Sequence, residues 1–402
     1  MKRESIEMVW NERTQRSEED ISFLNEEQSQ KAIQYHKSFA IYEKTPLVNL
    51  KNLAQKCNVN AVYLKDESYR FGLNAFKVLG ASYAIANYIA QKTGQDISEL
   101  SAEKIASKEM KNNIGEITFV TATDGNHGRG LAWTAKQLGQ KAVVYMPKGS
   151  SKERLHNIIA QGAEAEITNK NYDDAVRLAQ QKAVENGWVM VQDTAWEDYE
   201  DIPKWIMQGY TTMGYEIMEQ LEQKPTHIFL QAGVGSMAGA MTGFFANIYK
   251  EQKPIIVVVE PTKADCLFQT AKANDGTLHC VKGDMNTIMA GLACGEPCSI
   301  GWNVLKKYAD AFVRCPEYVA ADGMRILAAP MKEDTAVVSG ESGAVGIGCM
   351  ANILQYKELE TIKKALKLDE NSIILCISTE GDTDVQNYKN IVWEGKHSKF
   401  EV

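Results

Sequence analysis

Three short segments carry side chains that could do chemistry together. In the first, Gly72-Leu-Asn-Ala-Phe-Lys77 leads into an amphipathic stretch over 78–90, so Lys77 stands near the start of a predicted helix. Unpaired N–H dipoles there disfavour a cation, which suits an amine that must spend time neutral as a nucleophile. The second segment is Thr121-Ala-Thr-Asp-Gly-Asn-His-Gly128, between a predicted strand at 117–122 and a predicted helix at 128–138. It offers Asp124 and Asn126 as polar groups at a strand end, and His127 reads as a packed or capping histidine. The third is Gln231-Ala-Gly-Val-Gly-Ser-Met-Ala-Gly-Ala240, after a predicted strand at 226–230 and opening a predicted helix at 237–249. Gly233, Gly235 and Gly239 allow a tight turn and close approach of an anion. The following helix start supplies free N–H groups, and Ser236 a hydroxyl. The loop is suited to phosphate.

Alternatives stand beside each reading. Glu260 ends the next predicted strand, where the ribose-binding acid of a dinucleotide site would stand. The third glycine falls one residue late for that pattern. The glycine turn could also serve strand–helix packing alone. Asp193, in Val191-Gln-Asp-Thr-Ala-Trp196, follows another strand end and could be a substrate partner or the N-cap of a helix over 196–210. Asp382 and Asp384 read as loop and cap residues.

The elements that must position these groups follow a βα rhythm. Short apolar runs at 117–122, 141–146, 163–167, 188–192, 226–231, 255–260 and 373–378 alternate with stretches of helical length at 128–138, 152–161, 172–185 and 237–249. This predicts α/β architecture: two open parallel-sheet α/β domains with helices on both faces. Ligands of such sheets sit beyond the strand carboxyl ends, where the three segments lie. The first 45 residues are polar with scattered aromatics and read as an arm or helices.

Composition narrows the function classes. The 402 residues are 44% hydrophobic, enough for more than one domain, and 44 Lys and Arg against 52 Asp and Glu give a net charge of −8. An acidic chain without a basic block argues against nucleic acid and anionic membrane surfaces. No apolar run approaches the roughly 20 residues of a membrane span. The start is polar through Asp20 and lacks the apolar core of a secretion signal, so a cytoplasmic enzyme is expected. Eight cysteines lack paired metal-ligand spacing and read as buried or loop thiols, with oxidative pairing among Cys266, Cys294 and Cys298 left open.

Taken together, Asn-Ala-Phe-Lys77, Asp-Gly-Asn-His-Gly128 and the Gly233–Gly239 loop resemble, in order and character, the pyridoxal-phosphate enzymes of fold-type II, the tryptophan synthase β-subunit and threonine dehydratase group. Within it the chain is most similar to the ammonia-lyases of 2,3-diaminopropionate. Ser339-Gly-Glu-Ser-Gly-Ala344 and Ser378-Thr-Glu-Gly-Asp382 extend the likeness, which runs from about Leu47 to the C-terminal region.

The resemblance implies that Lys77 carries pyridoxal 5'-phosphate as a Schiff base and that Gly233, Val234, Gly235, Ser236, Met237 and Gly239 cradle its phosphate. Asn126 would hydrogen-bond the phenolic oxygen. Thr379 would face the pyridine nitrogen, leaving the ring a weaker electron sink that favours elimination. Dehydratases of the group have a small residue where Asp124 stands. Its carboxylate suggests either a partner for a cationic group of the substrate or a second base, on the cofactor face opposite Lys77, so that Lys77 takes the α-proton of one enantiomer and Asp124 that of the other. Asp193 would hold the β-ammonium group or orient the substrate. A small domain over 85–192 would be inserted into a larger one formed by 1–84 and 193–402, with the cofactor between them, and the molecule would be a homodimer. Three further readings remain: a serine or threonine dehydratase, an NAD-binding oxidoreductase using the glycine loop and Glu260, and a silent ligand-binding relative.

Overall fold

In a computed structural model the chain is described over residues 5–12, 20–123 and 125–399; Asp124 lies outside the described residues. Among the described residues, eleven strands form two sheets. They are β1 (Glu7–Trp10), β2 (Leu47–Asn49), β3 (Ala61–Asp66), β4 (Thr118–Ala122), β5 (Lys141–Met146), β6 (Glu164–Ile167), β7 (Val189–Met190), β8 (His227–Gln231), β9 (Ile255–Pro261), β10 (Ala311–Cys315) and β11 (Ile373–Ser378).

The larger sheet has the order β1-β10-β9-β8-β11-β3-β2 and the smaller β6-β5-β4-β7. All pairs of the smaller sheet are parallel. The larger is parallel in its interior, but both edge strands, β1 and β2, run antiparallel. The polar N-terminal region therefore supplies an edge strand as well as a helix, Glu26–Lys37. Edge strands need only one hydrogen-bonded side, which short polar segments can provide.

The interior strands are continuous apolar runs because helices cover both faces. β8 and β11 are buried at every position. One core cluster spans the facing sides of the two sheets, joining Phe119, Leu131 and Val144 to Ile228, Leu230 and Leu375. A second lies behind the larger sheet, and a third, including Val120, Tyr145 and Ala179, behind the smaller.

The segment after β3 is fixed by buried charges. Lys65 meets Glu216 at 2.7 Å, and Arg70 meets Glu67 and Glu216 at 2.8 Å each, with all four side chains fully buried. Opposite charges this enclosed must be paired, since removing one partner leaves the other uncompensated. The network ties the chain between β3 and Lys77 to the helix Asp201–Gln220.

Candidate active site

Five strand ends converge. The chain leaving β3 brings Lys77, β4 leads to Asn126, β7 to Asp193, β8 to the glycine loop and β11 to Thr379 and Glu380. Their side chains line one cavity, with Phe76, Thr123, His127, Tyr172, Gln231, Leu292 and Ser342 among its other walls.

Lys77 caps the helix Val78–Thr93, as its position in the sequence predicts. Its loop is clipped to the one after β11: Phe76 N–H donates to Thr379 O at 3.1 Å and Gly381 N–H to Asn74 O at 3.0 Å. The Lys77 ammonium is in direct ion contact with Asp193. Burial pushes the Asp193 carboxyl up, but Lys77 and then His127 outweigh it and hold it at about 2. The following helix starts at Asp201, so the alternative of Asp193 as its N-cap falls away. A short turn with Trp196 stacked on Tyr199 occupies the intervening residues, and the aromatic pair packs there instead of continuing a helix.

The glycine loop turns at Gly235, whose φ of +98° favours glycine. Among the described residues, no hydrogen bond takes up the main-chain amides from Gly233 to Ala238. Gly239 N–H is spent on Gly235 O at 2.8 Å. Those free amides open the helix Ser236–Tyr249 and line a cavity, the arrangement that receives a phosphate dianion. The Ser236 hydroxyl does not join them; it donates to the Asp193 main-chain oxygen. That bond holds the loop to the carboxylate beside Lys77.

Gln231 Nε2 donates to Ile377 O at 2.8 Å and to Thr379 Oγ1 at 3.0 Å. Accepting that bond leaves the Thr379 O–H to donate into the cavity, which fits a neutral ring nitrogen. Asn126 Nδ2 donates to Glu380 Oε2 at 2.5 Å. His127 is buried, its Nε2 lies 2.8 Å from Val191 O, and burial pushes its pKa down. A carbonyl only accepts, so Nε2 carries the proton, and Nδ1 has no partner among the described residues. The free amides, the donating hydroxyl and the lysine fit pyridoxal phosphate.

Glu260 lies elsewhere in role. It is fully buried and accepts from Leu267 and Phe268 N–H at 2.9 and 2.7 Å, capping the helix Cys266–Ala273. Both its carboxylate oxygens are taken up by those amides and it does not line the cavity, so it is not placed to meet a ribose and the dinucleotide alternative loses its acid. Asp384 caps the helix Val385–Val392, and Asp382 accepts from Asn74, as loop and cap roles predict. Sequence reasoning gave no role to Gln231 or Glu380. The latter sits in the Ser378–Asp382 segment, where a carboxylate at a strand end is the available signal.

Comparison with known proteins agrees with this geometry. Residues 39–378 match the family described as pyridoxal-phosphate dependent enzyme. A diaminopropionate ammonia-lyase of Salmonella typhimurium is 51% identical over 381 residues, covering 94% of each chain. The Escherichia coli diaminopropionate ammonia-lyase, solved in complex with an aminoacrylate-PLP azomethine reaction intermediate, superposes with a TM-score of 0.90 at 46% identity, covering 98% of both chains. The same E. coli protein, solved with D-serine, gives 0.91 at 45% with the same coverage. With its lysine, its asparagine loop and its open glycine amides standing in one cleft, the chain belongs to the family of pyridoxal-phosphate-dependent enzymes.

Proposed function

We infer that the protein eliminates ammonia from 2,3-diaminopropionate, D and L, and releases pyruvate and two molecules of ammonia with uptake of one water. The observation that carries this reading is the buried Lys77–Asp193 pair beside unspent loop amides, in a chain half identical to lyases named for that substrate. Pyridoxal phosphate, when bound, supplies the electron sink that makes the α-proton removable.

The chain's own groups do the rest. Lys77 anchors the cofactor and takes the α-proton of one enantiomer. Asp193 favours the arrival of that proton, because the resulting ammonium is the cation its carboxylate stabilises. The same carboxylate would meet the β-ammonium group. The free amides from Gly233 to Ala238 would hold the phosphate, Asn126 the phenolic oxygen and Thr379 the ring nitrogen. Asp124 is the proposed base for the other enantiomer; the E. coli relative's complex with a D-amino acid supports a site open to D substrates. The small unit over 85–192 would close over the cofactor between 1–84 and 193–402, in a cytoplasmic homodimer. No helix among the described residues is long and apolar enough to cross a membrane.

The test is the visible absorption of the purified protein before and after D- and L-2,3-diaminopropionate, with pyruvate measured. The expected result is a band that shifts with both. Lys77→Ala should abolish turnover of both enantiomers, and Asp124→Asn should damage one far more than the other. Equal losses would leave Asp124 a binding residue. A response to L-serine or L-threonine alone would make the enzyme a dehydratase.

A further inference from the structure

Glu380 is the carboxylate that the preceding assignments leave without a role. It is 1% exposed, yet it lines the cavity. Its Oε2 accepts from Asn126 Nδ2 at 2.5 Å and from Thr383 Oγ1 at 3.2 Å, and its Oε1 from Ser342 N–H at 3.2 Å. Its main chain bridges to Ala75, two residues before Lys77. Asn126 instead belongs to the helix Asn126–Gln137, which follows β4 of the smaller sheet. The Asn126–Glu380 bond therefore crosses the cavity from one sheet to the other.

The chemistry of the two groups gives this bond a direction. An asparagine amide presents either a donor or an acceptor, and only its surroundings decide which faces where. A carboxylate can only accept, so Glu380 selects the Nδ2 edge. One Nδ2 hydrogen goes to Glu380, and the second is the donor a phenolic oxygen needs. The flipped amide would set oxygen against oxygen.

We propose that Glu380 is a positioning residue: its carboxylate fixes the Asn126 amide with its donor edge toward the cofactor's phenolic oxygen. This deepens the proposed function and rests on the role given there to Asn126. Glu380 acts through Asn126, so its effect exists only while Asn126 is present.

The test titrates apoprotein with pyridoxal phosphate, following protein fluorescence and the visible band of the bound cofactor across pH. Wild type, Asn126→Ala, Glu380→Gln and the double variant are compared. Wild-type protein that forms no band would fail the functional reading itself, and that result is read before any variant. Each single substitution should weaken binding by about tenfold, the worth of one charge-assisted hydrogen bond. Each should also move the band's pH midpoint in the same direction. The double variant should be no worse than Asn126→Ala alone. Additive losses, or an unmoved midpoint in Glu380→Gln, would overturn the proposal. Wild-type binding and band in Asn126→Ala would overturn it together with the role of Asn126. If Glu380→Gln does not fold, Glu380→Asp, which keeps the charge but shortens the reach, is read against the same criteria.

Discussion

The pairing of Lys77 with Asp193 makes a pH prediction at the level of one residue. Lys77 and His127 depress the Asp193 carboxyl, against burial, from its ordinary 3.8 to about 2. An acid with a depressed folded pKa adds stability above its unfolded value and loses it as pH falls through the folded one. Asp193 should therefore stabilise the apoprotein by on the order of 2 kcal/mol at neutral pH, lost between about pH 4 and 2. Asp193→Asn should remove that amount and flatten urea midpoints across this window; an unchanged slope would place the acid sensitivity elsewhere. Asp193 was legible as a candidate because it ends a strand, but its partner was not, being 116 positions away in sequence. Lys77, Asn126 and the glycine loop were legible as neighbours for a different reason, since each stands in a short motif beyond a strand end and those ends meet at one cavity. The role of Glu380 was hidden because it is relational: the amide it holds is 254 residues distant.

Helix placement is set by close approach at glycines. The helix Val78–Thr93, which Lys77 opens, crosses the helix Asp201–Gln220 where Gly80 and Gly209 meet. A Cβ on Gly209 would stand 2.4 Å from Leu79 O, and one on Gly80 would stand 2.6 Å from the Tyr210 ring. Backbone cannot yield as a flexible side chain can. Gly209→Ala should cost about 1–3 kcal/mol and weaken cofactor binding by displacing Lys77. Gly346, inside the helix Glu341–Gln355, provides the contrast: its Cβ would meet nothing closer than Phe229 O at 3.7 Å. Gly346→Ala should be neutral or stabilising by up to about 1 kcal/mol, through helix propensity. Thermal midpoints of both variants decide it; equal losses would refute the close-contact argument. For the smaller sheet and for β8, β9 and β11, though not for the interior strands β3 and β10, strand order was legible from the apolar rhythm to within a few residues. The antiparallel edges and the late start at Asp201 were not, because both depend on packing between distant segments.

At the scale of the whole molecule, the two sheets also meet along a polar seam outside the shared core. Asp173 lies in the first turn of the helix Tyr172–Asn186, which packs behind the smaller sheet. Across from it runs the segment that carries Gly291, Leu292 and Cys294 into the cavity wall. Asp173 sits close against Gly295, where a Cβ would come within 3.2 Å of its Oδ2. Arg177 and Glu296 pair at 2.5 Å, but both are about half exposed, so that bridge is screened and worth little. Burial, and then Glu296, push the Asp173 carboxyl up to about 6, with Arg177 opposing. For an acid whose folded pKa exceeds its unfolded value of 3.8, the folded state binds the extra proton between the two. Stability is then highest below about pH 4, falls as pH rises to about 6 and is flat above. At neutral pH the seam thus closes over an ionised carboxylate that prefers to be neutral or solvated, and this lowers the cost of opening the wall beside the cavity. Asp173→Asn should raise stability at pH 7 by about 1 kcal/mol, after allowance for partial exposure, and erase the decline between pH 4 and 6. Urea midpoints at pH 4.5 and 7 measure both effects. The same variant should slow loss of bound pyridoxal phosphate at pH 7, because a seam relieved of its charge opens less often. A variant that is less stable at pH 7 than the parent would show instead that the ionised carboxylate holds the two sheets together.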